Sequence, residues 1–208
     1  MTDDILGSGL VNSMARPGGN TTGVSIFASE LDVKRFELLH EAVPKAASMG
    51  ALVDATTIST RAPLERAAHE RGIKLAIFAV RERDEIGRAL DGLIAAGVDA
   101  VNVLASPLLW TERGRIIDRL NQAGQPAIYQ WPDGAAEGGL LGYGPGPISA
   151  SYRLVASLTD KILRGAKPAD LPIEQPTKFE LAINLRTAKT LGLTVPHSLL
   201  QRADEVIE

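Results

Sequence analysis

The chain has 208 residues, with 22 Lys and Arg against 25 Asp and Glu, a formal net charge of −3, and 45% hydrophobic but 4% aromatic residues. At about 150 residues per domain this makes one large or two small domains with a sizeable core, which excludes a disordered or collagen-like chain. Near-balanced charge without like-charge blocks offers no footprint for nucleic acid, the absence of cysteine removes disulfides and thiolate chemistry, and no apolar run approaches the roughly 18 residues of a membrane span.

The opening MTDDILGSGL carries Asp3 and Asp4 where a signal peptide needs basic residues, with Gly7, Gly9 and Asn12 breaking any apolar stretch, so no export signal is expected as written. From Val24 onward, helix-period and strand-like segments alternate, the pattern of βα units around a mostly parallel sheet. A helix is expected over 30–41, where Leu31, Phe36, Leu38 and Leu39 are apolar and Pro44 marks the stop. A strand over 49–53 and a helix over 61–71 ending at Gly72 follow. The apolar run 73–80 reads as a strand buried on both faces. Asp84 is placed to cap a helix over 85–96 that ends at Gly97. A strand over 100–104, a loop at Pro107, a helix over 111–123 ending at Gly124 and a strand over 127–130 complete four repeats. Segment 138–146 then holds five glycines around a short strand, the pattern of a crossover or hinge, before a helix over 149–163. Pro168, Pro172 and Pro176 should keep 165–177 extended and rigid. A strand over 179–183 and two short helices over 186–191 and 198–206, around Pro196, close the chain. There is no fixed-period repeat and no low-complexity segment.

Motif templates for catalysis fail letter by letter. Gly7-Ser8-Gly9 is followed by Asn12, and Gly142-Tyr143-Gly144 by Pro147, where a dinucleotide fingerprint needs its third glycine. His40-Glu41 and His69-Glu70 have Pro44 and Ile73 where a zinc helix needs its second histidine. His197 has no carboxylate or serine in a triad order. No catalytic residue, metal ligand or cofactor is assigned.

What remains is a set of loops at the carboxyl ends of the parallel strands, where open α/β sheets bind ligands. They are Asp54-Ala55-Thr56-Thr57, Ala105-Ser106-Pro107 and Gln130-Trp131-Pro132-Asp133. Each precedes a helix whose free N–H groups could receive an anionic group. The plainer reading makes Thr57, Ser106 and Asp133 caps or turn formers. An indole in a polar loop is costly to leave in water, so Trp131 is either a lid over core residues or a stacking wall for a ligand. Trp110, at a helix start, reads mainly as packing, and Tyr129 as a buried strand residue.

Several runs point further: Gly9-Leu10-Val11, Ala15-Arg16-Pro17-Gly18-Gly19-Asn20-Thr21-Thr22-Gly23-Val24, Lys34-Arg35-Phe36-Glu37-Leu38-Leu39, and the stretch from Gly165 through Pro168, Pro172 and Pro176 to Leu181. With Ile183-Asn184-Leu185-Arg186-Thr187-Ala188 and Ala203-Asp204-Glu205-Val206-Ile207, the chain resembles, over essentially its whole length, the ABC-transporter substrate-binding family whose best-understood members bind aromatic or other hydrophobic amino acids. The resemblance implies a type I periplasmic-binding-protein-like α/β fold: two lobes joined by crossing segments, with a ligand clamped between them. The crossings would fall near 21–24, 140–144 and 176–180. One complete doubly wound parallel-sheet lobe would comprise 22–142 and 178–208, and 1–21 with 143–177 would be a fragment of the other. On that pattern the chain starts near the end of the first lobe and one ligand-binding wall is missing. The helix over 149–163 would then expose an apolar face that a homodimer could cover.

Carried over position by position, the family's site falls on Asp54, Thr56, Thr57, Ser106, Gln130 and Trp131. The loops Asp54-Ala55-Thr56-Thr57 and Leu104-Ala105-Ser106-Pro107 depart from the Asn-Pro-rich and Asp-Asn-Thr-type loops of amino-acid-binding relatives. The expected function is a solute-binding component of an ABC-type uptake transporter, holding a small apolar or aromatic metabolite and, if exported, working with a permease. The alternative is a truncated cytoplasmic sensor or structural dimer module. Family resemblance places the chain in the periplasm, whereas the sequence as written places it in the cytoplasm. An enzyme is disfavoured because no nucleophile, base and orienter set occurs in the strand-end loops.

Overall fold

The computed structural model describes residues 5, 9–26, 28–56 and 61–208. In chain order its elements are α1 (Ala28–Ala42), β1 (Ser48–Asp54), α2 (Arg61–Glu70), β2 (Lys74–Val80), α3 (Glu85–Ala95), β3 (Ala100–Val103), α4 (Pro107–Thr111), α5 (Arg113–Gln122), β4 (Ala127–Tyr129), α6 (Pro132–Ala136), β5 (Leu141–Gly144), α7 (Ile148–Leu163), β6 (Glu180–Asn184), α8 (Leu185–Thr190), α9 (His197–Leu200) and β7 (Glu205–Ile207). They fall into two compact units, Ala28–Gly144 with Glu180–Glu208, and Met1–Phe27 with Pro145–Phe179.

The larger unit is built on one sheet in the order β2-β1-β3-β4-β5-β6-β7. Strands β1 to β5 run parallel, β6 is antiparallel to β5, and β7 is parallel to β6. The period-2 alternation of a strand sends its side chains to opposite layers. Met49, Ala51 and Val53 of β1 join Phe36 and Leu39 of α1, Leu64 of α2 and Leu199 of α9. Leu52 of the same strand joins Ile86, Leu90 and Leu93 of α3 with Ile116 and Leu120 of α5. Gly50 fits the second face because a Cβ there would stand 2.3 Å from Leu93 Cδ2. The sheet is therefore doubly wound, the mostly parallel α/β class expected from the sequence. Because β1 connects outward to β2 on one side and β3 lies on its other side, the winding reverses between β1 and β3, the place where open α/β sheets bind their ligands.

Four local expectations are corrected. β2 is an edge strand, buried in full only at Val80. Leu75 and Ile77 reach one core and Ala76 and Phe78 the other, but each is only partly covered. The helix expected over 111–123 is two helices: Pro107 at the first helical position and Ser106 as cap start α4 earlier, and Glu112, at φ −95° and ψ 8°, breaks the run. Asp84 makes no side-chain cap bond to α3. The segment 198–206 is not one helix. Leu199, Ala203 and Val206 imitate helical spacing, yet the chain leaves α9 after Leu200, and Asp204 N donates to Leu181 O at 2.9 Å, laying β7 along the open edge of β6.

In the smaller unit, Val24 bridges Glu174 in parallel. Ile173 N donates to Met14 O at 2.8 Å and Thr22 Oγ1 to Leu171 O at 2.9 Å. Pro168–Asp170 forms a 3₁₀ turn within the proline-rich stretch. Among its described residues Val11, Leu158 and Ile173 are buried, whereas Tyr152, Val155, Ile162 and Leu163 of α7 are exposed, Leu163 to 82%. An amphipathic helix that buries one leucine in four turns leaves its apolar face uncovered within this unit.

Candidate functional site at the strand ends

The end of β1 and the loop after β3 are joined by a short hydrogen bond. Ser106 Oγ donates to Asp54 Oδ2 at 2.6 Å, while Thr56 donates to Asp54 Oδ1 through both its N–H at 2.9 Å and its hydroxyl at 2.7 Å. Burial of Asp54 works to raise its pKa, but these three donors outweigh it and hold the carboxyl below its ordinary value. Asp54 is thus ionised at neutral pH although it is buried. Ser106 Oγ also accepts from Leu108 N at 3.1 Å and Leu109 N at 3.3 Å, capping α4. One hydroxyl has one proton and two lone pairs, so these bonds use it completely.

Gln130 joins the framework from the loop after β4. Its Oε1 accepts from Ser106 N at 3.1 Å and its Nε2 donates to Ser106 O at 3.2 Å, a reciprocal pair that ties the loop after β4 to the loop after β3. Asp54, Thr56, Ser106 and Gln130 are therefore in one hydrogen-bonded chain, while Thr57 lies outside the described residues. In this arrangement Ser106 and Gln130 are struts between loops.

Trp131 follows directly, in extended conformation at the start of α6, and is only 4% exposed. Its ring meets Trp110 edge to face, with centroids 6.3 Å apart and planes at 66°, a geometry favoured by the aromatic quadrupole. Trp110, in the last turn of α4 and not at a helix start, is half-buried. The Arg113 guanidinium carbon lies 4.3 Å from the Trp110 ring centroid, and Arg113 Nη2 donates to Glu137 Oε1 at 2.8 Å. The result is a packed cluster of two indoles and a guanidinium, with Trp131 inside and Trp110 half-exposed. Asp133 is half-buried in the first turn of α6, and Tyr129 is buried in β4.

The sequence reading missed the pair beneath these loops. Asp32 and Arg35 of α1 are both buried, with Arg35 Nη1 2.7 Å from Asp32 Oδ1. Burial lowers the Arg35 pKa, opposed by the Asp32 carboxylate, and a guanidinium starts so high that it stays charged. A signal existed: at helical spacing Asp32 and Arg35 share the face of Phe36 and Leu39, an acid and a base on a core stripe. Among the described residues no group of three His, Cys, Asp or Glu could hold a metal ion, and no helix is long and apolar enough to cross a membrane.

Comparison with known proteins agrees with this architecture. Residues 1–207 match the sequence profile of a family described as ABC transporter substrate binding protein. A tyrosine-binding protein of Clostridioides difficile is 23% identical over 193 residues, 91% of this chain and 55% of its own length. Among solved structures, a conserved domain protein from Vibrio cholerae superposes with a TM-score of 0.84 at 25% identity, over 98% of this chain and 69% of the other. An ABC domain from Streptococcus pneumonia in complex with L-Trp superposes at 0.83 and 26% identity, with the same coverage. The chain thus spans about half the length of the curated relative and about two thirds of the solved ones.

Proposed function

The chain belongs to the family of ABC transporter substrate-binding proteins, a family that binds solutes and does not transform them, and from that premise we propose that it takes a small aromatic, amino-acid-like metabolite at the carboxyl ends of β1, β3 and β4. The observation that carries this reading is the Trp110–Trp131 pair standing beside the Asp54–Ser106–Gln130 framework at the switch point of the sheet. The indoles supply an aromatic wall. Asp54, held ionised by its donors, suits a ligand ammonium, with Thr56 beside it, and Ser106 and Gln130 keep the three loops in register. The tyrosine-binding and L-Trp-bound relatives support the ligand class. Work with a transporter permease, and a place outside the cytoplasmic membrane, belong to the same proposal.

The test is isothermal calorimetry and thermal denaturation with L-tryptophan, L-tyrosine, L-phenylalanine, branched amino acids and aromatic acids. A ligand that binds only the native state adds about 2.7 kcal/mol of stability at a hundred times its dissociation constant. A saturable shift with an aromatic amino acid, weakened in Asp54→Asn, is the expected result. Absence of a saturable shift with every compound would remove this reading.

One observation favours a second reading, an assembly module in which another copy covers α7: Tyr152 is 65% exposed and lies on the same helix as exposed Val155, Ile162 and Leu163. Light scattering decides it, because a monomer across the micromolar range excludes such a module.

A further inference from the structure

Resting on the ligand reading above, we propose that Arg35 is the positioning residue of the site: its buried guanidinium locks the Trp131 loop to the crossover strand β5, so that the aromatic wall and the crossover move as one body. The fork reaches three ways. Nη1 donates to Asp32 Oδ1 at 2.7 Å, Nη2 to Gln130 O at 2.9 Å, and Nε to Tyr143 O at 2.7 Å. Gln130 O is the carbonyl of the peptide that enters Trp131, and Tyr143 is the penultimate residue of β5, at the edge of the larger unit.

A second observation concerns the same stretch of backbone. A Cβ on Gly142 would stand 2.2 Å from Trp131 O, and one on Gly144 would stand 2.3 Å from Gln130 O. Real Cβ atoms do not approach backbone oxygen so closely, so both positions are bare to let β5 press against the Gln130–Trp131 backbone. The loop is held by the arginine fork and by direct backbone contact with β5. Asp32 extends the hub to the third loop, since its Oδ1 also accepts from Ala105 N at 3.0 Å, and Asn102 Nδ2 donates to Asp32 O at 2.9 Å, rooting α1 on β3. One buried ion pair therefore sets the loops after β3 and β4 and the end of β5. Lysine carries the same charge, but its compact ammonium cannot reproduce a planar fork aimed at three separate oxygens.

The experiment uses the full chain with Arg35→Lys and Gly144→Ala. Arg202→Lys serves as control at an exposed pair with Glu41. Three readouts are taken: far-UV dichroism for folding, near-UV dichroism of the only two tryptophans, and the L-tryptophan dissociation constant by calorimetry. Displacing a binding group by about an ångström costs on the order of tenfold to a hundredfold. Both test variants are expected to keep far-UV dichroism, lose most of the tryptophan near-UV signal and weaken binding by about tenfold or more, with Arg202→Lys within about twofold of the parent.

A folded Arg35→Lys with parental near-UV signal and affinity overturns the proposal. If that variant does not fold, Gly144→Ala decides, because it crowds Gln130 O, the acceptor of Arg35 Nη2; parental near-UV signal and affinity in that folded variant overturn the proposal. If the parent protein binds none of the aromatic ligands while Arg35→Lys still collapses the tryptophan signal, the ligand reading fails and the positioning role stands.

Discussion

Replacing Ser106 by alanine removes a single hydroxyl that makes three bonds, and the structure lets the cost be worked out. The bond to the Asp54 carboxylate, 2.6 Å long, is of the charged type worth about 1.5–3 kcal/mol. The bonds from Leu108 N and Leu109 N form a helix cap, worth about 0.5–2 kcal/mol. Sharing one oxygen makes these values less than additive, so the expected loss is about 2–4 kcal/mol at neutral pH. Urea unfolding followed by tryptophan emission measures it cleanly, because Trp110 and Trp131 both lie in the larger unit. The pH dependence gives a second check. Asp54 has a folded pKa below its unfolded value, about 3.9. Its stabilisation is therefore fully present above that pH and is lost as pH falls through the folded value. Without the hydroxyl, the opposing effect of burial raises the folded pKa, so the penalty at pH 7 should exceed that at pH 3. A penalty below about 1 kcal/mol at pH 7, or an equal penalty at pH 3, would refute the assignment of this hydroxyl to an ionised carboxylate.

Trp131→Ala should cost about 3–5 kcal/mol because the ring is buried against Trp110. Trp131→Phe, with most of the packing kept, is the variant whose ligand affinity is interpretable, and a thermal scan of both checks the difference. Asp99 Oδ2 accepts from Ala47 N, Ser48 N and the Ser48 hydroxyl, and the two Ser48 bonds lead in lowering its pKa. Asp99→Asn should cost about 1–2 kcal/mol at neutral pH. By the same sign of linkage that cost should shrink below about pH 4, as seen by urea midpoints at the two pH values. Val206→Pro breaks the pairing of β7 with β6. It should raise amide exchange at Ile183, whose N–H faces β7, whereas unchanged protection there would show that β7 contributes nothing to the sheet.

The order of elements was readable because each depends on near neighbours: apolar spacing marked the helices, and glycines such as Gly97 and Gly124, at φ 62° and 68°, ended two of them. The strand-end residues Asp54, Ser106, Gln130 and Trp131 were singled out for the same local reason, since each closes a parallel strand or lies in the loop that follows one. What those residues bond to was not readable. Ser106 meets Asp54 across 52 positions and Arg35 reaches Gln130 across 95. A donor in a loop looks equally suited to a ligand or to a neighbouring loop until distance decides. The exposed edge of β2 was hidden for a related reason: an apolar run states how oily a strand is, and only the sheet order states whether a neighbour covers it. The sequence by itself determined the alternating α/β pattern, the helix ends and the family, because these are properties of short stretches read in order. Only the tertiary structure decided that the polar loops brace one another over a buried ion pair, because hydrogen bonding between distant segments depends on where the folded chain places them.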